Sequence, residues 1–134
     1  MYVIVELWNA RASWWELSSA QRQAFLDHVT GHMSAVTDPV PVAWGFADRE
    51  TDRDAGYDLF AVWHTDHPAA VDRFLTTLRA TDWYDHFEQV NTTGAATPGP
   101  PEVLEALATA TSIEDAYRRY HRIDEVARAG ARKT

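Results

Sequence analysis

A carboxylate and several imidazoles lie among apolar residues in segments that alternate like β-strands. In the segment 2–8, Glu6 shares a face with Ile4 and Trp8, because successive side chains of a strand point to opposite sides. A carboxylate with apolar neighbours needs a hydrogen-bonding partner or has a raised pKa. Such a group can give or take protons near neutral pH. Glu6 is therefore the first candidate for a general acid or base, with a structural ion pair or hydrogen bond as the alternative.

The segment 57–64 supplies a second pair of ionisable side chains. Asp58 and His64 share one face with Phe60, while the other face has the character of a helix-packing surface. We therefore expect Asp58 and His64 to join Glu6 on the side of the sheet away from the helices. A histidine beside a carboxylate is a common acid–base pair, and solvation at the strand ends is the alternative.

The segment 83–91 leaves two choices of face open. Tyr84, His86 and Glu88 lie on one side and Phe87 lies on the other. If Phe87 packs under the helices, then Tyr84, His86 and Glu88 line the predicted cavity. A shift of one residue would exchange the two sets, and a polar cross-strand or dimer contact is the alternative role.

Aromatic residues are placed where they can form the walls of a pocket. The chain has six tryptophans, a side chain that serves cores and ligand pockets equally well. In the segment 42–47, Trp44 and Phe46 alternate with small residues, which we expect to face a helix because they allow close packing. Trp44 and Phe46 would then face away from the helices and form aromatic walls together with Trp8 and Phe60.

The sequence predicts neither a metal site nor a cofactor. His28 and His32 are four residues apart on a predicted helix, a spacing that can grip a metal. However, the metal-hydrolase motif has Glu after the first His, where this chain has Val29. The chain has no cysteine, which excludes disulfides and thiolate ligands. A position at the edge of the core explains the two histidines better.

The composition excludes several classes of partner. The chain of 134 residues has the length of a single domain. Its net charge of −8 repels phosphate backbones, so we expect no binding to nucleic acids. No apolar run approaches the roughly 20 residues that a membrane span needs, and the N-terminus does not have the pattern of a signal peptide. These features predict a soluble, cytoplasmic protein.

The order of elements predicts an α+β fold. Four strands are expected at 2–8, 42–47, 57–64 and 83–91, and helices at 18–36, from 68 onward, at 101–110 and at 113–128, with a charged turn at 48–56 and a linker at 92–101. This βαββαβ order is that of a ferredoxin-like unit, with an antiparallel four-stranded sheet and both helices on one face. The predicted domain covers 1–95, and 96–134 forms a linker and a C-terminal helical extension.

The first strand has two apolar faces. Val3, Val5 and Leu7 point one way, and Ile4 and Trp8 point the other. An antiparallel sheet with one solvated face should alternate apolar and polar residues instead. Because the predicted helices cover one face only, we expect a second copy of the chain, a ligand, or both to cover the other.

Three stretches carry a resemblance to known families: Val5–Ala10, Tyr57–Trp63 and Trp83–Asn91. In these stretches the chain resembles a family of small bacterial proteins without an assigned activity. In its order of elements it resembles the dimeric α+β barrel superfamily, in which two ferredoxin-like units pack their sheet faces together. The resemblance implies a homodimer. The tail from about residue 100 lies outside the superfamily's minimal unit, where it would cap a barrel end or clasp the partner.

The superfamily includes cofactor-free monooxygenases, polyketide cyclases, lactone isomerases, haem enzymes and binding proteins, so it leaves the reaction open. Our leading hypothesis is a cofactor-independent enzyme acting on a hydrophobic aromatic or polyketide-like small molecule. Glu6, His64 or His86 would move protons in an isomerisation, cyclisation, dehydration or oxygenation. One alternative is a non-catalytic binder of a hydrophobic metabolite or of haem, with His64 or His86 as axial ligand. Another is an interaction protein whose sheets pack flat and leave no pocket.

Overall fold

The computed structural model shows an α+β fold with an antiparallel four-stranded sheet. It describes residues 1–48 and 54–132, with the backbone alone for 123–132. The strands are β1 (Tyr2–Ala10), β2 (Val40–Phe46), β3 (Leu59–Thr65) and β4 (Phe87–Ala95). The helices are α1 (Ala12–Glu16), α2 (Ser19–Met33), α3 (Ala69–Ala80), α4 (Trp83–His86), α5 (Pro101–Thr109) and α6 (Ile113–Arg132).

The strand order is β2-β3-β1-β4, and the β1–β3 and β2–β3 pairs are antiparallel. Glu6 lies opposite Ala61 in the β1–β3 ladder, and Val3 lies opposite His64. The predicted ferredoxin-like fold class is confirmed. The register matters for function because residues directly opposite one another in a ladder project from the same face of the sheet.

The chain forms two compact units. One is Tyr2–Gly94, which contains α1 to α4 and most of the sheet, and the other is Ala95–Thr134 together with Met1. In the second unit α5 packs against α6, with Ala106 and Ala116 buried. The Tyr120 hydroxyl donates a hydrogen bond to the Ala95 carbonyl at 2.9 Å. The division into domains at 1–95 and 96–134 stays a prediction.

Local features of the sequence account for helices α2 and α3. Ser18 caps α2, and Ser18 and Gln21 exchange the two hydrogen bonds of a capping box. In α3 an apolar stripe at helical spacing is buried: Val71, Phe74 and Leu78. Helix α1 and the short helix α4 were not predicted.

The hydrophobic core lies between the sheet and the helices. One cluster joins Trp8 of β1 and Ala61 of β3 to Val29 of α2 and Leu78 of α3. A second joins Ile4 of β1 to Val71 and Phe74 of α3. These contacts define the helix-covered face of the sheet, and we call the opposite face the second face.

The predicted choice of faces is wrong for β1 and β2. Glu6 and Trp8 lie on the helix-covered face, since Glu6 shares it with Ala61. Trp44 also shares this face with Ala61, and its ring is 5.2 Å from that of Trp8. The physical reason is complementary size, because the bulky indole of Trp44 lies across from the small side chain of Ala61. The small residue Gly45 instead lies across from Phe60 on the second face.

The fourth strand begins later than expected. Trp83–His86 forms a single helical turn, and β4 then runs through Phe87–Ala95, into the segment predicted to be a linker. The turn follows Asp82, whose left-handed φ of 65° ends the right-handed helical backbone after α3. Of the predicted charged turn at 48–56, residues 49–53 lie outside the described residues.

Candidate functional site

A cavity of about 240 Å³ lies between the sheet and helices α2 and α3. We call it the tryptophan cavity, because four of its walls are the indoles of Trp8, Trp44, Trp63 and Trp83. The other lining residues are Glu6, Leu26, Val29, Thr30, Met33, Phe74, Leu78 and Gln89. An apolar cavity of about 150 Å³ can hold benzene, so this one has room for a substituted aromatic ring.

Glu6 is the one ionisable residue in this lining, and it is 3% exposed. The Trp63 indole donates a hydrogen bond from Nε1 to Glu6 Oε1 at 2.5 Å. The Gln89 amide donates from Nε2 to Glu6 Oε2, also at 2.5 Å. Each carboxylate oxygen therefore has a neutral N–H donor, as a buried carboxylate requires.

Burial raises the pKa of Glu6, and the hydrogen bonds from Trp63 and Gln89 oppose this effect. Loss of hydration is the larger influence, since neutral donors replace only part of the stabilisation that water gives an anion. A carboxyl group in this state exchanges its proton closer to neutral pH than an exposed one does.

Gln89 links Glu6 to a second tryptophan. The Trp83 indole donates from Nε1 to Gln89 Oε1 at 2.8 Å, and Gln89 Nε2 also donates to Asn91 Oδ1 at 2.8 Å. Trp83 is itself buried and stacks on Phe87, with 4.1 Å between ring centroids and 21° between ring planes. The polar groups at this end of the cavity thus form one connected network.

Trp44 bounds the cavity on its outer side. It lies on the edge strand β2, with 55% of its surface exposed. Its ring makes edge contacts with Trp8 at 5.2 Å and with Trp63 at 5.5 Å. Trp44 is therefore a part of the aromatic wall that is also open to solvent.

A larger hollow of about 560 Å³ adjoins the tryptophan cavity and shares Trp8, Leu26, Trp44 and Trp83 with it. Phe46 lines this hollow and is 82% exposed. Asp58, just before β3, lies at its edge. Of the predicted wall residues, Trp8, Trp44 and Phe46 therefore do lie together, but on the helix-covered face of the sheet and not on the face where they were expected.

His64, Phe60 and Glu88 do not belong to this site. His64 lies opposite Val3 on the second face, and Phe60 lies over Gly45 on that face. Glu88 is exposed, and it projects from the opposite face of β4 to its neighbour Gln89, which lines the cavity. The prediction that His64 joins Glu6 in one interior is wrong, because the sheet separates the two side chains, whereas Asp58 lines the adjoining hollow and not the tryptophan cavity itself. Any role of these residues in another site stays a prediction.

His86 and Tyr84 lie in the α4 turn, so the predicted strand alternation does not apply to them. His86 contacts Phe25 at 4.9 Å between ring centroids, and its Nδ1 is 3.2 Å from Ser13 Oγ. Tyr84 is partly buried beside the core. Burial and the nearby charge of Glu6 raise the pKa of the Tyr84 phenol, while hydrogen bonding to Asn91 lowers it. Neither residue lines the tryptophan cavity.

The described residues contain no cluster of three or more His, Asp or Glu side chains that could hold a metal ion. The rings of His28 and His32 lie on the surface of α2 with 4.5 Å between centroids and 58° between planes, and His32 Nδ1 lies 3.0 Å from the His28 carbonyl. In the part of the chain that the structure describes, no helix has the length and apolarity to cross a bilayer.

Sequence reasoning missed Trp63, Gln89 and Trp83 as parts of the site. Trp63 belongs to the face of the segment 57–64 that was expected to pack on helices, which is correct, but Glu6 was assigned to the other face. One signal could have linked Glu6 to Trp63. A buried indole N–H needs an acceptor, and Glu6 is a carboxylate on an apolar strand that can pair with the strand of Trp63.

The family model of a family of unknown function, DUF6616, matches residues 1–110 of this chain. No curated protein matches the sequence. The resemblance of the stretches Val5–Ala10, Tyr57–Trp63 and Trp83–Asn91 to a family of small bacterial proteins without an assigned activity stays a prediction.

Solved structures share the fold at low sequence identity. A variant chlorite dismutase from Candidatus Nitrospira defluvii is 18% identical, with a TM-score of 0.56 over 71% of this chain and 40% of that chain. A chlorite dismutase from the same organism in complex with imidazole is 16% identical, with a TM-score of 0.56 over 89% of this chain and 44% of that one. The protein At3g17210 from Arabidopsis thaliana is 12% identical, with a TM-score of 0.54 over 74% of this chain and 98% of that one. The chain thus spans less than half the length of these chlorite dismutase chains, and the likeness shows the fold alone.

Proposed function

Since this chain belongs to DUF6616, a family of unknown function, we propose its function from the site itself: a small enzyme that moves protons with Glu6 on an aromatic small molecule bound in the tryptophan cavity. The observation that carries the proposal is the buried carboxylate of Glu6 at the wall of an apolar cavity, with a hydrogen bond to each oxygen. An enzyme places a titratable group in such surroundings when its proton must move near neutral pH.

The chemistry follows from the single carboxylate. Ionised Glu6 takes a proton from a carbon next to a carbonyl group of the ligand, which leaves an enolate. The carboxylic acid then returns the proton at another atom, which is an isomerisation, or to a departing hydroxide, which is a dehydration. If the enolate carbon first attacks a second carbonyl of the same molecule, the returned proton completes a cyclisation. Each variant needs one residue that works as base and then as acid.

The cavity walls define the class of ligand. Four indoles and the side chains of Leu26, Val29 and Leu78 offer apolar contacts, which favour a flat, largely apolar molecule. Glu6 and Gln89 are hydrogen-bonded to each other in the lining, so the ligand places its acidic C–H group beside Glu6. We propose a substituted aromatic or polyketide-like ketone as the substrate.

The test uses the ketone 2-tetralone as a probe, because its acidic C–H groups lie between a ring and a carbonyl. Exchange of these hydrogens for deuterium is followed by proton NMR in D₂O with the intact protein. We expect exchange faster than in buffer, lowered about 100-fold or more by Glu6→Gln, the range that a general base contributes. Glu105→Gln, on α5, is the matched control with unchanged exchange. Equal exchange by wild type and Glu6→Gln contradicts the proposal.

A non-catalytic binder of a hydrophobic metabolite or of haem is the second candidate, since the apolar lining of the tryptophan cavity can hold a ligand without any chemistry. The described residues do not fit haem in the tryptophan cavity, because its lining contains no histidine. His64 projects from the second face and His86 packs on Phe25. Addition of haemin should therefore give no Soret shift. A shift that His64→Ala or His86→Ala removes would establish the haem binder instead.

We further propose that a second copy of the chain covers the second face. Val3, Val5 and Leu7 of β1 project there beside Phe60 and Val62 of β3, an apolar surface that water contacts at a cost. Sedimentation equilibrium at micromolar concentration should give the mass of a dimer, and Val5→Glu should weaken it. A wild-type protein that sediments as a monomer contradicts this assembly.

A further inference from the structure

We propose that Gln89 is a positioning residue, whose amide is held in one orientation by Trp83 so that its NH₂ group fixes the carboxylate of Glu6 for proton transfer. The inference rests on the proposed function of Glu6 and adds the residues that regulate it. Its physical basis is the set of donors and acceptors that meet at Gln89.

The orientation of the Gln89 amide follows from the chemistry of its neighbours. An indole N–H can only donate a hydrogen bond, so the atom that faces Trp83 Nε1 at 2.8 Å has to be the amide oxygen. The NH₂ group then points the other way, toward Glu6 Oε2 at 2.5 Å and Asn91 Oδ1 at 2.8 Å. Both N–H groups are used, and rotation of the amide would break all three bonds.

Trp83 is itself held in place on both sides. Its ring stacks on Phe87 and makes an edge contact with Trp8, with 6.1 Å between the ring centroids. Asp82, in the left-handed region with φ 65°, starts the α4 turn that places the ring. The α4 turn thus fixes the position of the Trp83 ring. The ring orients the amide of Gln89, and this amide in turn orients the carboxylate of Glu6.

Few charged groups near the cavity could also change the pKa of Glu6. The cavity residues contributed by α2 and α3 are uncharged: Leu26, Val29, Thr30, Met33, Phe74 and Leu78. From α4 the phenol of Tyr84 responds to the charge of Glu6, and it stays neutral at physiological pH because its pKa is raised above an already high value. The ionisation of Glu6 thus depends on burial and on its two donors, Trp63 and Gln89.

The test is a carboxyl ¹³C NMR titration of Glu6 in the full chain, with the signal assigned by its loss in Glu6→Gln. Gln89→Met keeps the side-chain length and removes both N–H donors, so we expect Glu6 to bind its proton about tenfold more tightly. Trp83→Phe keeps a stacked ring and releases the amide, and we expect a smaller change in the same direction. Gln23→Met makes the same substitution at an exposed glutamine of α2 that donates to Asp27, and it is the control with no change.

A purely structural role of Gln89 would change stability and leave the titration of Glu6 alone. The pH profile of 2-tetralone exchange should move to higher pH in Gln89→Met, in parallel with the NMR midpoint. A wild-type midpoint in Gln89→Met overturns the inference, and so does a wild-type midpoint in folded Trp83→Phe. If Trp83→Phe does not fold, Gln89→Met decides alone.

The two proposals fail separately. Exchange of 2-tetralone that is unaffected by Glu6→Gln ends the proposed function, whatever the titration shows. Exchange that depends on Glu6, combined with a titration that does not depend on Gln89, ends only the positioning role.

Discussion

Trp63 reaches Glu6 diagonally across the β1–β3 ladder and donates a hydrogen bond from Nε1 to Oε1 at 2.5 Å. Directly opposite Trp63 in the ladder is Ile4, and directly opposite Glu6 is Ala61. The small side chain of Ala61 leaves the space through which the indole approaches the carboxylate. Two central strands of the sheet thus supply the acidic group of the site and one of its two hydrogen-bond donors.

The pH dependence of stability should report the state of Glu6. Because burial raises its pKa above the ordinary value of 4.5, the folded protein holds this proton more tightly than the unfolded chain does. The resulting stabilisation is fully present below pH 4.5 and is lost as the pH rises through the raised pKa. We expect urea denaturation to show that wild type loses stability relative to Glu6→Gln across this window. A difference that does not vary with pH contradicts the assignment.

Trp63→Phe should remove one donor from Glu6 while keeping an aromatic ring beside Phe74, whose centroid lies 4.8 Å from that of Trp63. An anionic oxygen left without its partner costs about 1–3 kcal/mol. We expect a loss of this size in the free energy of unfolding at a pH above the pKa of Glu6, where it is ionised, and a smaller loss at a pH below that pKa, where it is protonated. Trp15→Phe, at an exposed position, is the control. A loss that is the same at both pH values would show that packing alone is affected.

Asp82 should tolerate only residues suited to its backbone. Its φ of 65° lies in the left-handed region, which costs roughly 1–2 kcal/mol for ordinary side chains and less for Gly, Asn or Asp. Thermal unfolding should show that Asp82→Val destabilises the protein by about that amount, whereas Asp82→Asn and Asp82→Gly change it little. Equal effects of all three substitutions would contradict the role of this turn in placing Trp83.

Adding a methyl group should have opposite effects on the stability of the protein at Gly45 and at Gly31. A Cβ at Gly45 would lie 2.8 Å from the Phe60 ring, whereas a Cβ at Gly31 would have no neighbour within 4 Å. Gly45→Ala should cost about 1 kcal/mol or more because the ring must move, and Phe60→Leu in the same chain should restore most of it. Gly31→Ala, inside α2, should stabilise the protein by about 0.5–1 kcal/mol. The same sign of effect at both positions would contradict the described packing.

The sequence predicted what local patterns determine. The capping box at Ser18 and the stripe Val71, Phe74 and Leu78 depend on residues within one or two helical turns, and the helices that contain them were predicted at 18–36 and from 68 onward. The order of strands and helices follows from the same local patterns and was sufficient for the fold class.

The side of the sheet that carries the site could not be predicted in this way. Both faces of β1 are apolar, so alternation alone did not decide where Glu6 points. The deciding partners are Trp63 and Gln89, which lie 57 and 83 residues away along the chain. Helix α4 was missed for a related reason, because a left-handed Asp82 leaves no pattern in the neighbouring residues.

The central claim is that the ligand site lies on the helix-covered face and not on the second face. Binding of 2-tetralone, measured by chemical-shift perturbation, tests it most directly with one substitution on each side. Val29→Phe fills the tryptophan cavity from α2, and Phe60→Ala removes a ring from the second face. We expect Val29→Phe to weaken binding at least about tenfold, the effect of losing roughly 1.4 kcal/mol of contact, and Phe60→Ala to leave it unchanged. Binding that survives Val29→Phe and is lost in Phe60→Ala would contradict the account.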